Sequence, residues 1–357
     1  MISDRCNKIL IKPKILLSKA LKQIDKTALQ VLVVIDEYEK LLGIVTDGDI
    51  RRAIIKGIDF DTPIEKIMTK NPIKLMTGDN KEDALYLMKK HEIRHIPVVD
   101  EKNRIIDICL WKDFLKNGKI HFSQKDNKVI IMAGGKGTRL DPFTKIIPKP
   151  LIPINEKPVI EVIMDNFKKY GFNQFYISLN YKGAMIKMYF ADNPNDYQID
   201  YIEESDFLGT IGALSLIKDK IEDTIIVSNC DVVIDVNYDD LLSFHNRNSN
   251  DITILGVSRH VNIPYGILTM RNGCADFERI IEKPDYHFIV NSGVYVLEPK
   301  ILNLITENQK IDTPDLIELA KKKGYKIQVY PMNCSWFDVG QWGEYKKTIE
   351  YFEKMEK

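Results

Sequence analysis

The short apolar run KVIIMA (128–133) opens into Gly134, Gly135, Lys136, Gly137, Thr138 and Arg139. Three glycines in four positions let the backbone, from Ala133 onward, approach a phosphate closely and aim its N–H groups at it. The loop lacks the Gly-Lys-Ser/Thr of a P-loop, and Leu140 stands where G-x-G-x-x-G needs its third glycine. Taken alone, it is equally a glycine turn with no ligand. Ten residues after Arg139 comes Lys149, held between Pro148 and Pro150. The prolines fix the local backbone, so the ammonium is presented with little ordering cost. Arg139 and Lys149 together would neutralise the charge that builds on a triphosphate under attack. Singly, each reads as a solvated surface charge.

The elements that must position these groups follow a βα alternation. The run 128–133 reads as a buried parallel strand. Residues 158–170 place Val159, Ile160, Ile163, Met164, Phe167 and Tyr170 on one helical face, and Gly171 stops that helix. QFYISL (174–179) and TIIVSN (224–229) are further buried strands, and helices are expected to start near Asn237 and Thr313. This alternation predicts an α/β fold, a mostly parallel sheet with helices on both faces and ligands at the strand carboxyl ends.

The first 120 residues differ. They repeat at an offset of 64: Ala20-Leu21 returns as Ala84-Leu85, VLVVID ending at Asp36 as HIPVVD ending at Asp100, and Asp49 as Asp113. One copy is too small to bury its sheet well, so two copies packed together are expected. The polar stretch HFSQKDNK (121–128) suits a linker. The expected division is therefore 1–120, a linker at 121–128, and a larger domain over 129–357.

Composition excludes several classes. Lys plus Arg and Asp plus Glu each total 51, so there is no basic surplus for nucleic acid. MISDRCNKIL has an early acid and no continuous apolar core, which argues against a signal peptide. No apolar run approaches the roughly 18 residues of a membrane span. The five cysteines (Cys6, Cys109, Cys230, Cys274, Cys334) are scattered, without a CxxC pair, and fit a reducing cytoplasm. The six histidines show no zinc spacing.

AGGKGTRL (133–140) followed by PKP (148–150) resembles the signature of the sugar-phosphate nucleotidyltransferases. LGTIGAL (208–214), Asp231 after a buried strand, PYG (264–266), EKP (282–284), NSGVYVLEP (291–299) and WFDVG (336–340) follow in that family's order. The resemblance covers about 128–350 and implies a Rossmann-like nucleotidyltransferase fold. It also implies transfer of a nucleotidyl group to a sugar 1-phosphate. Residues 1–120 resemble a pair of CBS modules, in which Thr46 and Asp49 of GIVTDGD (43–49) match the pattern that holds a nucleotide ribose. The second copy departs from it, with Asp107 for the glycine and Leu110 for the threonine. The combination resembles a branch associated with bacterial surface-sugar pathways. The family's usual Asn-Gly-Asp reads Asn229-Cys230-Asp231 here, and Asp141 stands where arginine is common.

The resemblance implies these roles. A sugar phosphate oxygen is anionic near neutral pH, so its attack on the α-phosphorus needs positioning and charge neutralisation rather than a general base. Asp231 and Asp338 would hold Mg²⁺ (or Mn²⁺), which takes oxygen ligands and keeps several waters. For either Asp alone, a turn or helix cap is the other reading. Lys283 would contact the sugar phosphate and Glu282 the sugar hydroxyls, with Gly266 and Asn291 completing the sugar pocket. Adjacent strand residues point to opposite faces, so both can serve one pocket only if Pro284 breaks the ladder. The base would lie near Asn180, Glu204 and the Leu208-Gly209-Thr210 turn, with Glu204 accepting from a guanine edge. Three readings compete: a GTP-using enzyme acting on glucosamine 1-phosphate, the same chemistry with UTP or another donor, and an inactive nucleotide-sensing protein. A homo-oligomer formed through the repeat, and a regulatory nucleotide bound to it, are further expectations.

Overall fold

The computed structural model describes every residue except Met1, Ala28, Glu92, 117–121, Pro194, 272–274, Asn333 and Lys357. His121 of the expected linker and Cys274 therefore lie outside the described residues. The chain divides into two compact units that are discontinuous in sequence. One comprises Met1–Asp113, Gly256–Val290 and Pro331–Cys334, and the other Phe114–Leu255, Asn291–Tyr330 and Ser335–Lys357. The first unit thus takes in a piece, 256–290, that the sequence reading assigned to the larger domain.

In the first unit the repeat is visible element by element. The helix Leu17–Thr27 recurs as Lys81–His91, the strand Val31–Ile35 as His95–Val99, Leu41–Thr46 as Ile105–Leu110, and the helix Asp47–Ile55 as Trp111–Lys116. Even the register shift recurs, between Val34 and Ile35 and again between Val98 and Val99. Val31–Ile35 is buried at every position, which explains why no apolar-polar alternation marks it. Val99, Ile105, Ile108 and Leu110 of the second copy join the first copy's core, so the two copies bury each other. The same unit contains a two-stranded ribbon, Ile267–Met270 paired antiparallel with Phe277–Ile281.

The second unit is organised by a seven-stranded sheet, three strands of which continue into residues assigned to the first unit. Its strand order is Gln198–Glu203, Gln174–Leu179, Val129–Met132, Ile225–Asn229, Asp285–Leu297, Ile252–Asn262 and Ile327–Met332. The first four run parallel and Asp285–Leu297 is antiparallel to Ile225–Asn229. Mostly parallel topology is thus confirmed on the side that carries the glycine loop. The expected helix at 158–170 spans Val159–Lys168, entered through Pro158 and followed by Gly171 at φ +88°. Asn237 caps Tyr238–Arg247 by accepting from the Asp239 and Asp240 N–H groups. No helix among the described residues is long and apolar enough to cross a membrane.

Candidate active site

The three central parallel strands end side by side, and each delivers part of the site. Val129–Met132 is wholly buried and hands over to Ala133, whose N–H donates to the Ser178 carbonyl at 3.2 Å. A β-carbon built on Gly134 would lie 2.6 Å from Glu204 Oε1 and 3.3 Å from Asn180 Cβ. Glycine is required here because neighbouring strands bring side chains directly beneath the loop. Gly137 has φ +66°, and a β-carbon there would stand 3.0 Å from Lys149 Cβ. Gly135 is partly exposed, and Lys136, Thr138 and Arg139 are exposed at the loop's far side.

Glu204 is buried, and its carboxylate is already engaged. Oε1 accepts from Ser178 Oγ at 2.5 Å and Oε2 from the Leu208 N–H at 3.0 Å. Asn180 donates to the Glu204 carbonyl at 3.0 Å. These bonds tie the ends of two strands to the Leu208-Gly209-Thr210 turn, a scaffolding role that the sequence reading did not foresee. Gly209 sits at φ +84°, where a β-carbon would meet the Ile311 carbonyl oxygen at 2.4 Å. The Thr210 N–H donates to Asp312 Oδ1 at 2.8 Å, and its hydroxyl accepts from the Thr313 N–H at 2.9 Å. The turn is therefore fixed against the start of the helix Thr313–Lys322.

The strand Ile225–Asn229 ends at Cys230 and Asp231. Val232–Ile234 then pairs antiparallel with Trp336–Asp338, register Val232↔Asp338, which delivers the second carboxylate. The Val339 N–H closes this pairing on the Asp231 carbonyl at 2.9 Å. Lys149 is buried, and its ammonium is ion-paired with Asp231. Taken singly, Lys149 reads as a solvated surface charge, but its proline clamp aims it inward, at a carboxylate. A β-carbon on Gly340 would lie 2.6 Å from Lys149 Nζ, 2.7 Å from Asp338 Oδ1 and 2.8 Å from Asp231 Oδ2. All three charged groups converge on the space that this glycine leaves open. Gly340 escaped the sequence reading as a site residue, although it stands inside WFDVG.

Burial, together with the neighbouring Asp231 charge, pushes the Asp338 carboxyl above the usual carboxylate range. Two carboxylates served by one ammonium suit a divalent cation. Among the described residues no group of three or more His, Cys, Asp or Glu could hold a metal. A cation at Asp231 and Asp338 would draw its remaining oxygens from phosphates and water, as magnesium commonly does. Burial, and next the Asp231 charge, raise the Cys230 thiol to about 12, so it is no nucleophile.

The remaining expected residues have defined settings. Asn291 donates to the Tyr295 hydroxyl at 2.7 Å and accepts from the Gly293 N–H at 3.1 Å, which fixes its amide. In the first unit, Gly266 faces Glu282, whose Oε2 lies 2.9 Å from the glycine's would-be β-carbon. Lys283 has φ +41°, so the ladder breaks at the residue before Pro284. Thr46 and Asp49 form a capping box on Asp47–Ile55. Asp49 accepts from the Thr46 N–H at 2.8 Å, Thr46 Oγ1 at 2.7 Å and Thr69 Oγ1 at 3.2 Å, and is ion-paired with Arg52. In the second copy Arg5 donates to Asp113 at 2.6 Å and to the Ile108 carbonyl at 2.8 Å. The chain's own guanidinium thus engages the carboxylate that survives there.

Residues 128–354 match the family model described as nucleotidyl transferase, and 5–56 and 64–119 each match a CBS domain. The probable mannose-1-phosphate guanylyltransferase 1 of Oryza sativa subsp. japonica is 30% identical over 241 residues, covering 64% of this chain and 66% of its own. This chain therefore spans just under two thirds of that relative. The probable glucose-1-phosphate cytidylyltransferase of Bacillus subtilis is 31% identical over 218 residues, 54% of this chain and 84% of its own. HddC from Yersinia pseudotuberculosis, solved with GMP-PN, superposes with a TM-score of 0.51 at 28% identity, over 63% of this chain and 99% of that one. With a glycine loop, an inward lysine and two facing carboxylates inside the matched region, the chain belongs to the nucleotidyl transferase family and carries a CBS pair ahead of that region.

Proposed function

We propose that this chain transfers a nucleoside monophosphate, GMP from GTP, to a sugar 1-phosphate and releases pyrophosphate. The convergence of Lys149, Asp231 and Asp338 at Gly340, with Lys149 packed against Gly137 of the glycine loop, carries this reading. A phosphate oxygen of the sugar 1-phosphate attacks the α-phosphorus, the α–β bridging bond breaks, and pyrophosphate leaves with the electron pair. The loop N–H groups bind the triphosphate, and Arg139 with Lys136 offsets its charge from the exposed side. Asp231 and Asp338 would hold a divalent cation, which supplies charge neutralisation on the phosphate oxygens. Lys149 holds Asp231 in place and balances the carboxylate pair.

Asn180, Gly209 and Thr210 would frame the base. Glu204 orders this frame from beneath, and one lone pair of its carboxylate facing a guanine N–H is the finer reading. Glu282, Lys283, Gly266 and Asn291 serve the acceptor, for which glucosamine 1-phosphate is the choice. That assignment follows the CBS–transferase combination, which resembles the guanylyltransferase of legionaminic acid biosynthesis. Relatives named for guanylyl and cytidylyl transfer support the chemistry and leave the donor to experiment. A regulatory nucleotide at Thr46 and Asp49 and a homo-oligomer formed through the CBS pair complete the proposal. Pyrophosphate release should be measured with five triphosphates against several sugar 1-phosphates. Release with no pair would sink the activity, and release with another pair would sink only the assignment of GTP or glucosamine.

A further inference from the structure

The first unit holds the chain segment 256–290 against the first CBS copy, and the contacts gather at one place. Asn262 donates to Asp285 Oδ1 at 2.6 Å, and the Ile263 N–H donates to the Pro284 carbonyl at 3.1 Å. These bonds close a neck at the base of the ribbon Ile267–Met270 and Phe277–Ile281, and the Glu282–Lys283 turn sits at its edge. The excursion beyond the neck is the two-stranded ribbon, and an isolated two-stranded ribbon is marginal at best in water. Its Leu268, Met270, Phe277 and Ile280 are between 56% and 64% exposed, so packing on that face does little to place it. The neck must do so instead.

The neck is gripped by two residues of the CBS copy. Lys22, on the helix Leu17–Thr27, is ion-paired with Asp285 Oδ2 at 2.5 Å. Phe60 stacks on His287, with ring centres 5.1 Å apart and planes at 15°. The Phe60 carbonyl accepts from the Ser18 N–H at 2.9 Å, so both grips belong to one piece of the copy. His260 adds a third partner, with Nε2 3.0 Å from Asp285 Oδ1 and its ring 5.0 Å from that of His287. The Lys22 ammonium, followed by Asn262, holds the Asp285 carboxyl well below the usual carboxylate range. One exposed ion pair alone contributes little. Three donors on one carboxylate, a ring stack and the Ile263–Pro284 backbone bond make a latch.

We propose that the first CBS copy positions the Glu282–Lys283 turn, with Lys22 and Phe60 as positioning residues acting through Asp285 and His287. The acceptor role of that turn rests on the function proposed above; the latch itself does not. In the full chain, Lys22→Glu turns attraction into repulsion at a surface position that folding does not need, whereas Lys22→Arg keeps the charge. The glutamate variant should raise the KM for sugar 1-phosphate about tenfold while kcat and the KM for triphosphate stay within about twofold. The arginine variant should match the parent. Amide hydrogen exchange across 263–284 should quicken by about fivefold or more in Lys22→Glu, with the rest of the CBS copy unchanged. Phe60→Ala should move both readouts the same way. Unchanged exchange and unchanged acceptor KM in Lys22→Glu would overturn the latch, as would equal rises in both KM values. If the parent turns over no pair of substrates, the acceptor reading fails, and the exchange experiment alone decides the latch.

Discussion

The Lys149 ammonium is ion-paired with the Asp231 carboxylate at the end of a central strand, although 82 positions separate the two in sequence. Removing one partner of a buried pair leaves the other uncompensated, which costs more than the pair contributes. Lys149→Met should therefore lower both stability and turnover. Asp338 behaves differently, because burial and the Asp231 charge make its ionised form unfavourable in the folded protein. A folded pKa above the unfolded value means that the ionised carboxylate opposes folding at neutral pH. In chelator, Asp338→Asn should hold or raise Tm while kcat falls on the order of 100-fold. Asp231→Asn should lose turnover to the same degree. Near-normal kcat at saturating Mg²⁺ in either asparagine variant would remove that residue from the metal-binding pair.

Gly340 offers a finer test of the same site. An alanine methyl there meets Asp338 and Asp231 within 2.8 Å, and neither short side chain can swing far. Gly340→Ala should keep the fold and reduce kcat by about tenfold or more, with little change in triphosphate KM. Gly134→Ala presses on Glu204 instead and should raise the triphosphate KM. If both variants affected the two parameters alike, the separation between metal-binding pair and nucleotide frame would be wrong.

Much of this was legible beforehand, and what was not has physical causes. The strand 174–179 and the helix start at Asn237 were visible because burial and capping are local properties. The glycine loop's need for glycine was visible as composition, but not that Glu204 lies beneath it. That contact joins residues about 70 apart in sequence through parallel pairing, which no local pattern records. That Lys149 pairs with Asp231 is not legible locally, because proline fixes the backbone but not the side chain's partner. The place of 256–290 in the first unit was invisible, since neither Lys22 nor Asp285 differs in type from any surface charge.

The proposed part of Glu204 in donor choice can be tested at its carboxylate. With Oε1 given to Ser178 and Oε2 to the Leu208 N–H, each oxygen keeps one lone pair for a base. We expect GTP to give the highest kcat/KM. Glu204→Gln should lower kcat/KM for every triphosphate, because it also loosens the Leu208 turn. A greater loss for GTP than for UTP would place the carboxylate on the base. Equal losses would leave it as scaffold only, and a clear preference of the parent for UTP would refute the guanylyl assignment.

Stability should fall with acid through His245. Its ring is buried, 2.9 Å from Thr253 Oγ1 and 3.1 Å from Glu298, and burial lowers its pKa below 6.5 despite the carboxylate. A depressed histidine pKa favours the neutral folded form, so its contribution is fully present above about 6.5 and is lost as pH falls below that value. Unfolding free energy should decline by up to about 1.4 kcal/mol per pH unit from this group below pH 6.5. His245→Gln should be less stable at pH 7.5 yet show a shallower decline between pH 6.5 and 5. Parallel curves for parent and variant would assign the acid sensitivity elsewhere.

The CBS pair poses a sharper question than its motif did. Asp49 already accepts from the Thr46 backbone and hydroxyl and from Thr69, besides its ion pair with Arg52, so a ribose must compete for occupied oxygens. Losing the Asp49 half of the capping box should destabilise Asp49→Ala by about 0.5–2 kcal/mol with or without nucleotide. If a nucleotide binds, the same variant should also weaken that binding by about 10- to 150-fold, the range for a hydrogen bond to a charged group. The full chain is the material to use, because 256–290 and 331–334 belong to the same compact unit as 1–113. AMP, ADP and ATP should be titrated by calorimetry with the transferase site saturated in GTP, and the heats compared between parent and Asp49→Ala. The second copy, where Arg5 engages Asp113, is expected to add no further stoichiometry, whereas Arg5→Ala should expose it. A genuine effector must also shift acceptor KM in the parent and lose that shift in Lys22→Glu, since the latch is the contact through which the first copy reaches the turn. Binding constants must obey reciprocity, with sugar 1-phosphate changing effector affinity by the factor that effector changes sugar affinity. Lower stability in Asp49→Ala with no heat from any nucleotide at millimolar concentration would make Thr46–Asp49 a helix cap and nothing more.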